Sequence, residues 1–319
     1  MSTLYLDRKH LSIEIDGGSL TLREHDEIRQ RVPLTLLERV VITAGVQLNT
    51  NTLLSLNNHN ISVNLIGSRG NQGGAQLIGN PNGDVHRRLA QYALYFNEKA
   101  QQQVVQTLLS HKIRQQRLLL HTARKTRHDI SRTLTKGIDS LGQILPKLEQ
   151  AEAIENLMGY EGAAAARYFE AYTSLFADSL GFTHRVKRPP TDPVNACLSL
   201  GYTLLHHEAV KIINGAGLDV YLGVLHQPAY NRESLASDMI EPLRAKIDQF
   251  TWRLFAEKVL REHHFAQQNG GVYLTKEGRA IYYPAYELLA RKMRKVLKGY
   301  TYAYVNFIKK QYQGEETNL

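Results

Sequence analysis

The sequence predicts an α+β protein in which a β-rich N-terminal domain, residues 1–85, precedes a larger all-α C-terminal domain, residues 86–319. Three observations lead to this prediction. The chain has 319 residues, more than the roughly 100–200 of a typical single domain. Its first part consists of short β-branched runs separated by turn residues. From Val85 onward, apolar residues recur at helical spacing.

The N-terminal domain is expected to contain short strands and one short helix. The run LYLDRKHLSIEID is followed by Gly17 and Gly18 and then by SLTLRE, and the glycine pair supplies the positive φ of a tight hairpin turn. The runs ERVVIT and ISVNLIG predict further strands, with NTNTLLSLNNHN between them as a short helix. The Gly- and Asn-rich stretch GSRGNQGGAQLIGNPNGD indicates turns and a final hairpin that end the domain.

The C-terminal domain is expected to be a succession of helices. The stretch HRRLAQYALYFNEKAQQQVVQTLLSHKIRQQRLLLHTARK has no Gly or Pro and predicts one long helix or two. Asp192 and Pro193 are a good N-cap and first-turn pair, and Gly215 and Gly217 suit the end of the same helix. From periodicity and end signals, later helices are predicted at roughly 147–178, 192–214, 234–264 and 284–312.

Basic residues are concentrated after residue 85. Residues 1–85 carry a net charge of −1 and the remainder carries +10, within a total of +9 at pH 7. The segment 111–136 holds eight Lys or Arg residues against one acid, Asp129, with Leu118, Leu119 and Ile130 expected to face inward. This asymmetry predicts a polyanion-binding C-terminal domain, although a basic amphipathic helix can equally be a solvated face.

Composition argues against several classes of protein. No apolar run approaches the roughly 18 residues that span a bilayer, and the N-terminus lacks the apolar stretch of a secretory signal, so we expect no membrane segment and a cytoplasmic location. The single cysteine, Cys197, can form neither an intramolecular disulfide nor a thiolate zinc site and is expected in the core. We find no P-loop, dinucleotide fingerprint, GxSxG or zinc spacing.

Glu161 is the first candidate for chemistry. On a helix, its neighbours on the same side are apolar or small, namely Leu157, Ala164, Ala165, Tyr168 and Tyr172. An unpaired carboxylate on such a face would cost several kcal/mol or become protonated, so an Arg, a metal ion or a helix end must lie close to it. A salt bridge to a neighbouring helix is the simpler explanation, and a metal is the alternative.

A second group of candidates lies in GLDVYLGVLHQPAYNRESLASDMIEPLR. His226 ends an apolar stretch there, and a lone histidine in such a place is usually structural. Asp238 and Glu241 are three residues apart and therefore share one face at the start of a helix. Pro242 disfavours helical geometry at Glu241, which distinguishes this carboxylate from an ordinary surface acid. Acids in a first helical turn also stabilise the helix dipole, so the spacing alone leaves the metal hypothesis open.

Together these side chains match a hard divalent cation. Two or three carboxylates and one imidazole are the ligands of Mg²⁺ or Mn²⁺ rather than of zinc, which prefers more nitrogen and sulfur. Such a cation suits phosphodiester chemistry, because it polarises the scissile phosphate and neutralises the leaving alkoxide.

At these residues the sequence resembles the CRISPR adaptation integrase family, the CRISPR-associated protein numbered one. The resemblance extends over nearly the whole chain and rests on five segments in the family's order. They are the hairpin-rich beginning, Arg88-x-x-Gln91, GYEGAAAARYF, PPTDPVNACLSLGYTLL and the His226 segment quoted above.

The resemblance implies a role for each site residue. Glu161, His226 and Glu241 correspond to the family's metal ligands, and Asp238 to an acidic neighbour that assists them. The family's third ligand is Asp or Glu, so Glu241 is no departure. The candidates for positioning DNA flank these residues and are equally credible as packing or pairing support: Arg167, Tyr168, Tyr202, Tyr230, Arg232 and Arg244.

The resemblance also implies the reaction and the partners. The family joins the 3′-hydroxyl end of a short double-stranded DNA fragment to a phosphodiester of a CRISPR repeat, using Mg²⁺ or Mn²⁺, and can also cut branched DNA. Its N-terminal β-domain forms a homodimer, and a small companion protein bridges two dimers. Two other functions stay open from the residues alone: a structure-specific DNA repair nuclease and a catalytically silent nucleic-acid-binding scaffold.

Overall fold

The fold is that of a computed structural model that describes residues 2–66, 74–79 and 82–316. The chain divides into two compact units, Met1–Gly83 and Asp84–Leu319. The first unit is rich in strands and the second is mostly helical, which confirms the predicted α+β class. No helix within the described ranges is long and apolar enough to cross a membrane.

The described part of the first unit forms two four-stranded sheets and a helix. In chain order, its elements are β1 (Ser2–Leu6), β2 (Leu11–Asp16), β3 (Ser19–Glu24), β4 (Glu27–Pro33), β5 (Leu37–Ile42), β6 (Val46–Leu48), α1 (Thr50–Asn58), β7 (Ser62–Leu65) and β8 (Ala75–Leu77). One sheet has the order β1-β5-β7-β8, parallel except for the last pair. The other has the order β4-β3-β2-β6, antiparallel except for the pairing of β2 with β6.

Several predicted features of this unit are confirmed. Gly17 and Gly18, with φ of +55° and +73°, make the turn between β2 and β3. The predicted short helix is α1, and Asn49 caps it by accepting a hydrogen bond from the backbone of Thr52 at 2.8 Å. Leu20 and Val40, from opposite sheets, are fully buried in one apolar core.

Other features of this unit differ from their prediction. The run LYLDRKHLSIEID forms two strands in different sheets, and β4 and β6 were not predicted. The Gly- and Asn-rich stretch lies partly outside the described residues; its described strand, β8, pairs antiparallel with β7.

The second unit is built from helices and one two-stranded hairpin. Its described elements are α2 (Val85–Tyr95), α3 (Glu98–Arg124), α4 (Ser131–Glu149), α5 (Ile154–Thr173), α6 (Pro193–Gly215), α7 (Ser234–Ile240), α8 (Arg244–Ala256), β9 (Phe265–Gln268), β10 (Gly271–Leu274) and α9 (Lys276–Glu316). The stretch after Val85 is therefore two helices, and α6 agrees with its prediction. The side chain of Asp192 caps α6 by accepting a hydrogen bond from the backbone of Asn195 at 2.8 Å.

The helix predicted at roughly 147–178 is correct in its central part, which forms α5 (Ile154–Thr173), and wrong at both ends. The chain turns at residues 150–153, between α4 and α5. Two glutamines of α3 help to hold this turn, because Gln106 donates to the carbonyl of Leu148 at 2.7 Å and Gln102 to that of Ala151 at 2.6 Å. These bonds come from a distant part of the chain, and they add to the backbone hydrogen bond that Ala151 donates to the carbonyl of Leu148 at 3.3 Å.

Two later predictions also need correction. The helix predicted at 234–264 is broken by a 3-10 turn, Glu241–Leu243, and α8 ends at Ala256. Pro242 lies in this turn, as expected from its missing N–H. The last helix begins at Lys276 and carries Pro284 inside it, and the hairpin of β9 and β10 was not predicted in this otherwise helical unit.

The apolar face of α3 was predicted only in part. Leu119 is buried, but the side of the helix that carries Leu118 is turned outward, and Leu118 is 49% exposed. Cys197 is fully buried on α6, as predicted.

Candidate metal and DNA site

A cavity of about 280 Å³ in the second unit brings the predicted site residues together. It collects side chains from α3, α5, α6, the segment before α7, the 3-10 turn and α8. The lining residues used below are Lys112, Glu161, Arg185, Lys187, Tyr202, His226, Glu241, Arg244 and Asp248. On the α5 side, Met158, Ala165 and Phe169 give it an apolar wall.

Lys112 of α3 joins the two candidate carboxylates. Its Nζ lies 2.6 Å from Oε1 of Glu161 on α5 and 2.7 Å from Oε2 of Glu241 in the 3-10 turn. The three side chains are 13%, 24% and 4% exposed, respectively, so the ion pairs are poorly screened by water. The partner that Glu161 required on its apolar face is thus a lysine on a neighbouring helix.

Glu241 is held in its charged form. Burial alone would raise the pKa of this carboxyl, but the nearby charges of Arg244 and Lys112 outweigh it and lower the pKa to about 2. Arg244 is one helical turn further along, with its Nε 2.8 Å from Oε1 of Glu241. The carboxylate is therefore ionised at neutral pH.

Asp238 organises the backbone and the ring of His226. Its Oδ2 accepts hydrogen bonds from the backbone N–H of Val224 at 2.6 Å and of Leu225 at 3.0 Å. Its Oδ1 accepts one from the backbone of His226 at 2.9 Å and lies 2.7 Å from Nδ1 of the ring. When Nδ1 carries the proton, Nε2 is left as an acceptor that faces the cavity, 3.9 Å from Oε1 of Glu241.

The segment before His226 is held by α2. The buried side chain of Gln91 donates to the carbonyls of Asp219 at 2.9 Å and of Leu222 at 3.0 Å, and it accepts from the N–H of Asp219 at 2.8 Å. At Gly223, a Cβ would lie 2.7 Å from a backbone carbon of Ser234. The loop therefore packs against α7 too closely for any side chain at this position.

Asp248 of α8 is a further buried carboxylate that lines the cavity. Tyr168 donates to its Oδ2 at 2.6 Å, and Tyr202 donates to its Oδ1. Burial raises the pKa of Asp248 to about 6, although the two phenols and the charges of Arg244 and Arg185 act in the opposite direction.

The donor set fits a divalent cation, on the following observation. Two carboxylates from different elements attract positive charge to the space between them, and the ammonium group of Lys112 occupies that space. Glu161 and Glu241 offer hard oxygen atoms, and His226 offers an imidazole nitrogen on the same cavity. As the side chains stand, no group of three or more His, Cys, Asp or Glu in the described ranges forms a metal centre.

The six candidates for positioning DNA lie in different environments. Tyr202 and Arg244 line the cavity. Tyr168 is fully buried and supports Asp248. Arg167 is exposed and contacts Glu170 at 3.1 Å, outside the cavity lining. Tyr230, 95% exposed, and Arg232, also exposed, lie in the segment between His226 and α7 and do not line the cavity.

Four charged residues of the cavity were not predicted as site residues from the sequence: Lys112, Arg185, Lys187 and Asp248. Two of them carried a usable signal. Lys112 follows the buried Leu108 and Leu109 at helical spacing, and Asp248 precedes the buried Trp252 by four residues, so both are charges on apolar faces. Arg185 and Lys187 lie in a segment without regular structure, where periodicity gives no information.

The chain thus combines a β-rich unit with a following helical unit whose cavity is lined by acids, a histidine and basic side chains, a set of groups suited to phosphodiester chemistry. The chain belongs to the CRISPR-associated Cas1 family, since the family description "CRISPR associated protein Cas1" matches residues 4–288. A curated relative, CRISPR-associated endonuclease Cas1 1 of Thermodesulfovibrio yellowstonii, is 37% identical over 306 residues, which cover 94% of each chain.

Solved structures share the fold. A Cas1 protein from Thermotoga maritima superposes with a TM-score of 0.82 at 23% identity, covering 97% of both chains. A casposase bound to an integration product superposes with a TM-score of 0.76 at 20% identity, covering 95% of this chain and 91% of the other. The arrangement of a β-rich and a helical unit is therefore that of Cas1 proteins.

Proposed function

We propose that this chain is a metal-dependent DNA integrase that joins the 3′-hydroxyl end of a short DNA fragment to a phosphodiester of a CRISPR repeat. Its membership of the Cas1 family makes it a CRISPR-associated integrase and endonuclease. The observation that carries the finer proposal is the common cavity, which unites Glu161, His226 and Glu241 from three separate parts of the chain.

In this proposal Glu161, Glu241 and the Nε2 atom of His226 hold Mg²⁺ or Mn²⁺. When bound, such a cation polarises the phosphate and stabilises charge on the attacking and leaving oxygens. Asp238 supports His226 by fixing its ring orientation and leaving Nε2 free of its proton. Three of the four residues predicted for the site would then be ligands, and the fourth would orient one of them.

The cations of the cavity have their own tasks. Arg244 and Lys112 keep the Glu241 carboxylate ionised, and Lys112 also holds the side chain of Glu161 in place. With a cation held by Glu161 and Glu241, the ammonium group of Lys112 and the guanidinium group of Arg244 would be available to a negative phosphodiester, because a buried charge must be compensated. Tyr202, with its hydroxyl fixed by Asp248, lies beside Arg244 at the cavity wall.

The proposed partners are double-stranded DNA, a second copy of the chain and a small companion protein. The charge asymmetry supports the first, since the second unit carries the basic excess and the cavity. The homodimer and the companion protein, which would bridge two dimers, rest on family resemblance. Cutting of branched DNA by the same site is part of the same proposal, since water would then replace the hydroxyl as nucleophile.

A joining assay tests the reaction. A labelled duplex with 3′-hydroxyl ends should become attached to a repeat-containing plasmid in Mg²⁺ or Mn²⁺, whereas a duplex ending in 2′,3′-dideoxynucleotides should bind equally well and not be joined. Its phosphates, which supply most of the affinity, are intact. Glu161→Ala and His226→Ala should abolish joining, while Glu170→Ala on the exposed side of α5 should leave it unchanged.

The other outcomes identify the alternatives. Equal joining of dideoxy-ended DNA would rule out the 3′-hydroxyl as nucleophile. Cutting of branched DNA without any joining would favour a repair nuclease. DNA binding by the wild type without any cleavage or joining would favour a silent scaffold.

A further inference from the structure

Arg185 is a half-buried cation that lines the cavity without a carboxylate partner. Its Nη1 donates to Oδ1 of Asn195 at 2.8 Å and to the carbonyl of Val186, and its Nη2 donates to Oγ of Ser199 at 3.0 Å. All three acceptors are neutral, and Arg185 forms no ion pair with any carboxylate in the part of the chain that the structure describes. Burial lowers the pKa of its guanidinium, although nearby Tyr202, Asp248 and Asp192 act in the opposite direction.

The support of Arg185 is rigid. Asn195 is fully buried in the first turn of α6, where its Nδ2 donates to Oδ2 of Asp192 at 2.6 Å and to the carbonyl of His184 at 3.0 Å. Its Oδ1 also accepts a hydrogen bond from the backbone of Val186 at 3.0 Å. The guanidinium is thus tied to the N-terminal end of a helix and to its own loop, and it is preorganised for a ligand.

The other charged side chains of the cavity form ion pairs, accept hydrogen bonds or, like Lys187, are exposed. Lys112 and Arg244 contact Glu161 and Glu241, as described above. Asp248, the remaining carboxylate of the lining, accepts hydrogen bonds from Tyr168 and Tyr202. Lys187, two residues after Arg185, also lines the cavity; its exposed side chain has no ion pair in the described ranges.

The ring of Tyr202 contacts both Arg185 and Arg244, and Arg244 forms an ion pair with Glu241. The ring centroid lies 5.4 Å from Cζ of Arg185 and 4.8 Å from Cζ of Arg244. Cation–π contacts of this kind hold guanidinium groups without neutralising them. The positive edge of the cavity therefore runs from Arg244 past Tyr202 to Arg185 and Lys187.

We propose that Arg185 and Lys187 form a phosphodiester-binding subsite, which holds a backbone phosphate of the bound DNA strand next to the phosphate that reacts. The inference rests on the proposed function, since it assumes that DNA enters this cavity. A phosphodiester supplies the single negative charge that Arg185 lacks, and its two free oxygens suit the planar donors of a guanidinium. The subsite thereby fixes the strand relative to the carboxylates.

The subsite is tested by measuring DNA binding in EDTA, with duplexes in which single phosphodiester linkages are replaced by uncharged ones. A fluorescent duplex with 3′-hydroxyl ends, and a series in which one linkage at a time is an uncharged methylphosphonate, are titrated with the full chain. The wild type should lose affinity sharply at one linkage. Arg185→Ala should bind the unmodified duplex about tenfold more weakly, the effect of losing one charged hydrogen bond, and should be insensitive to that same methylphosphonate.

Two further variants protect the test from a folding defect. Lys187→Ala removes an exposed side chain without breaking the bonds of Arg185, and it should weaken binding at the same linkage. Arg188→Ala, also exposed but absent from the cavity lining, should bind like the wild type. Unchanged affinity in both Arg185→Ala and Lys187→Ala, with the wild-type methylphosphonate profile, overturns the subsite.

The integrase reaction and the phosphodiester-binding subsite can be refuted independently of each other. Because the titrations contain no divalent cation, they are independent of DNA joining. A wild type that joins DNA, together with an Arg185→Ala variant that binds DNA normally, removes the subsite and leaves the integrase. A wild type that joins nothing, but loses affinity at one linkage to which Arg185→Ala is insensitive, supports the subsite and removes the proposed reaction.

Discussion

The ammonium group of Lys112 contacts Glu161 at 2.6 Å and Glu241 at 2.7 Å, and these carboxylates belong to elements far apart in the sequence. Removing one member of a buried ion pair leaves an uncompensated charge. We predict that Lys112→Met lowers the free energy of unfolding by about 3 kcal/mol at neutral pH, measured by urea denaturation.

Lys136→Met is the matched control for this variant. Its ammonium lies 2.9 Å from Glu170, but both side chains are about half exposed, and such surface pairs contribute little to stability. The control should therefore unfold at the urea concentration of the wild type. Equal losses in the two variants would contradict the view that the pairs around Lys112 are buried and strong.

The contribution of the Asp248 carboxyl to stability depends on pH, and this dependence tests its raised pKa. Its pKa in the folded protein is raised to about 6 from an ordinary value of 3.8. Between these pH values the folded state binds more protons than the unfolded state, so the contribution of Asp248 to stability falls as pH rises from about 4 to about 6. Above that range its contribution is constant.

Asp248→Asn should remove this dependence. Stability curves of the wild type and the variant, measured by chemical denaturation from pH 4 to 7, should diverge by about 3 kcal/mol across the window, with the wild type losing more as pH rises. A constant difference between the two curves at all pH values would show that Asp248 titrates normally.

At the scale of elements, the loop before His226 depends on its close packing against α7. A Cβ at Gly223 would lie 2.7 Å from a backbone carbon of Ser234 and 2.8 Å from Oδ2 of Asp238. We predict that Gly223→Ala displaces the loop, costs about 1–3 kcal/mol of stability and weakens Mn²⁺ binding measured by calorimetry. Gly159→Ala on α5, with open space around its Cβ position, should leave Mn²⁺ binding unchanged.

The same elements show what the sequence could reveal. Local signals sufficed for α6, whose N-cap Asp192 and N1 Pro193 are adjacent in the sequence, and for the turn at Gly17 and Gly18. The break between α4 and α5 was missed because side chains of α3 stabilise it, and such a long-range contact leaves no local pattern. Hydrophobic periodicity predicted a helix where one of its faces is buried, and it gave no information elsewhere.

The site was predictable to a similar degree. Glu161 was found because a carboxylate on an apolar face needs a partner, but the identity of that partner, Lys112, depends on how α3 packs against α5. The family resemblance supplied the grouping of Glu161, His226 and Glu241. Neither route reached Arg185, which acquires its place from Asn195 and Ser199 after folding.

At the scale of the whole molecule, the basic excess divides into paired and unpaired charges. Within the segment 111–136, Arg127 forms an ion pair with Asp129 at 2.6 Å and Lys136 forms one with Glu170 at 2.9 Å. Lys125 and Arg132 are exposed and have no partner in the described ranges. The paired side chains serve the fold, so DNA affinity from this segment should come from the unpaired ones.

We predict that Lys125→Ala with Arg132→Ala flattens the dependence of log affinity on log salt, by about 0.9 for each duplex phosphate that the variant no longer neutralises. Fluorescence anisotropy at several salt concentrations measures the slope. Arg127→Ala with Lys136→Ala also removes two positive charges, but it should change the slope less because both side chains are already in ion pairs. An unchanged slope in the double variant would mean that this surface does not bind DNA.

The N-terminal part, residues 1–85, is the better candidate for self-association, because its net charge of −1 produces less repulsion between copies than the +10 of the remainder. β4 forms one edge of its second sheet, with Ile28 44% exposed, and an exposed edge can pair with another chain.

We predict a homodimer through residues 1–85. Light scattering should give twice the mass of one chain for the full protein, and Ile28→Lys should shift the population to monomers. Leu288→Lys, which changes a 67% exposed leucine of α9, should stay dimeric. A chain lacking the first unit that still dimerises would place the interface in the helical unit.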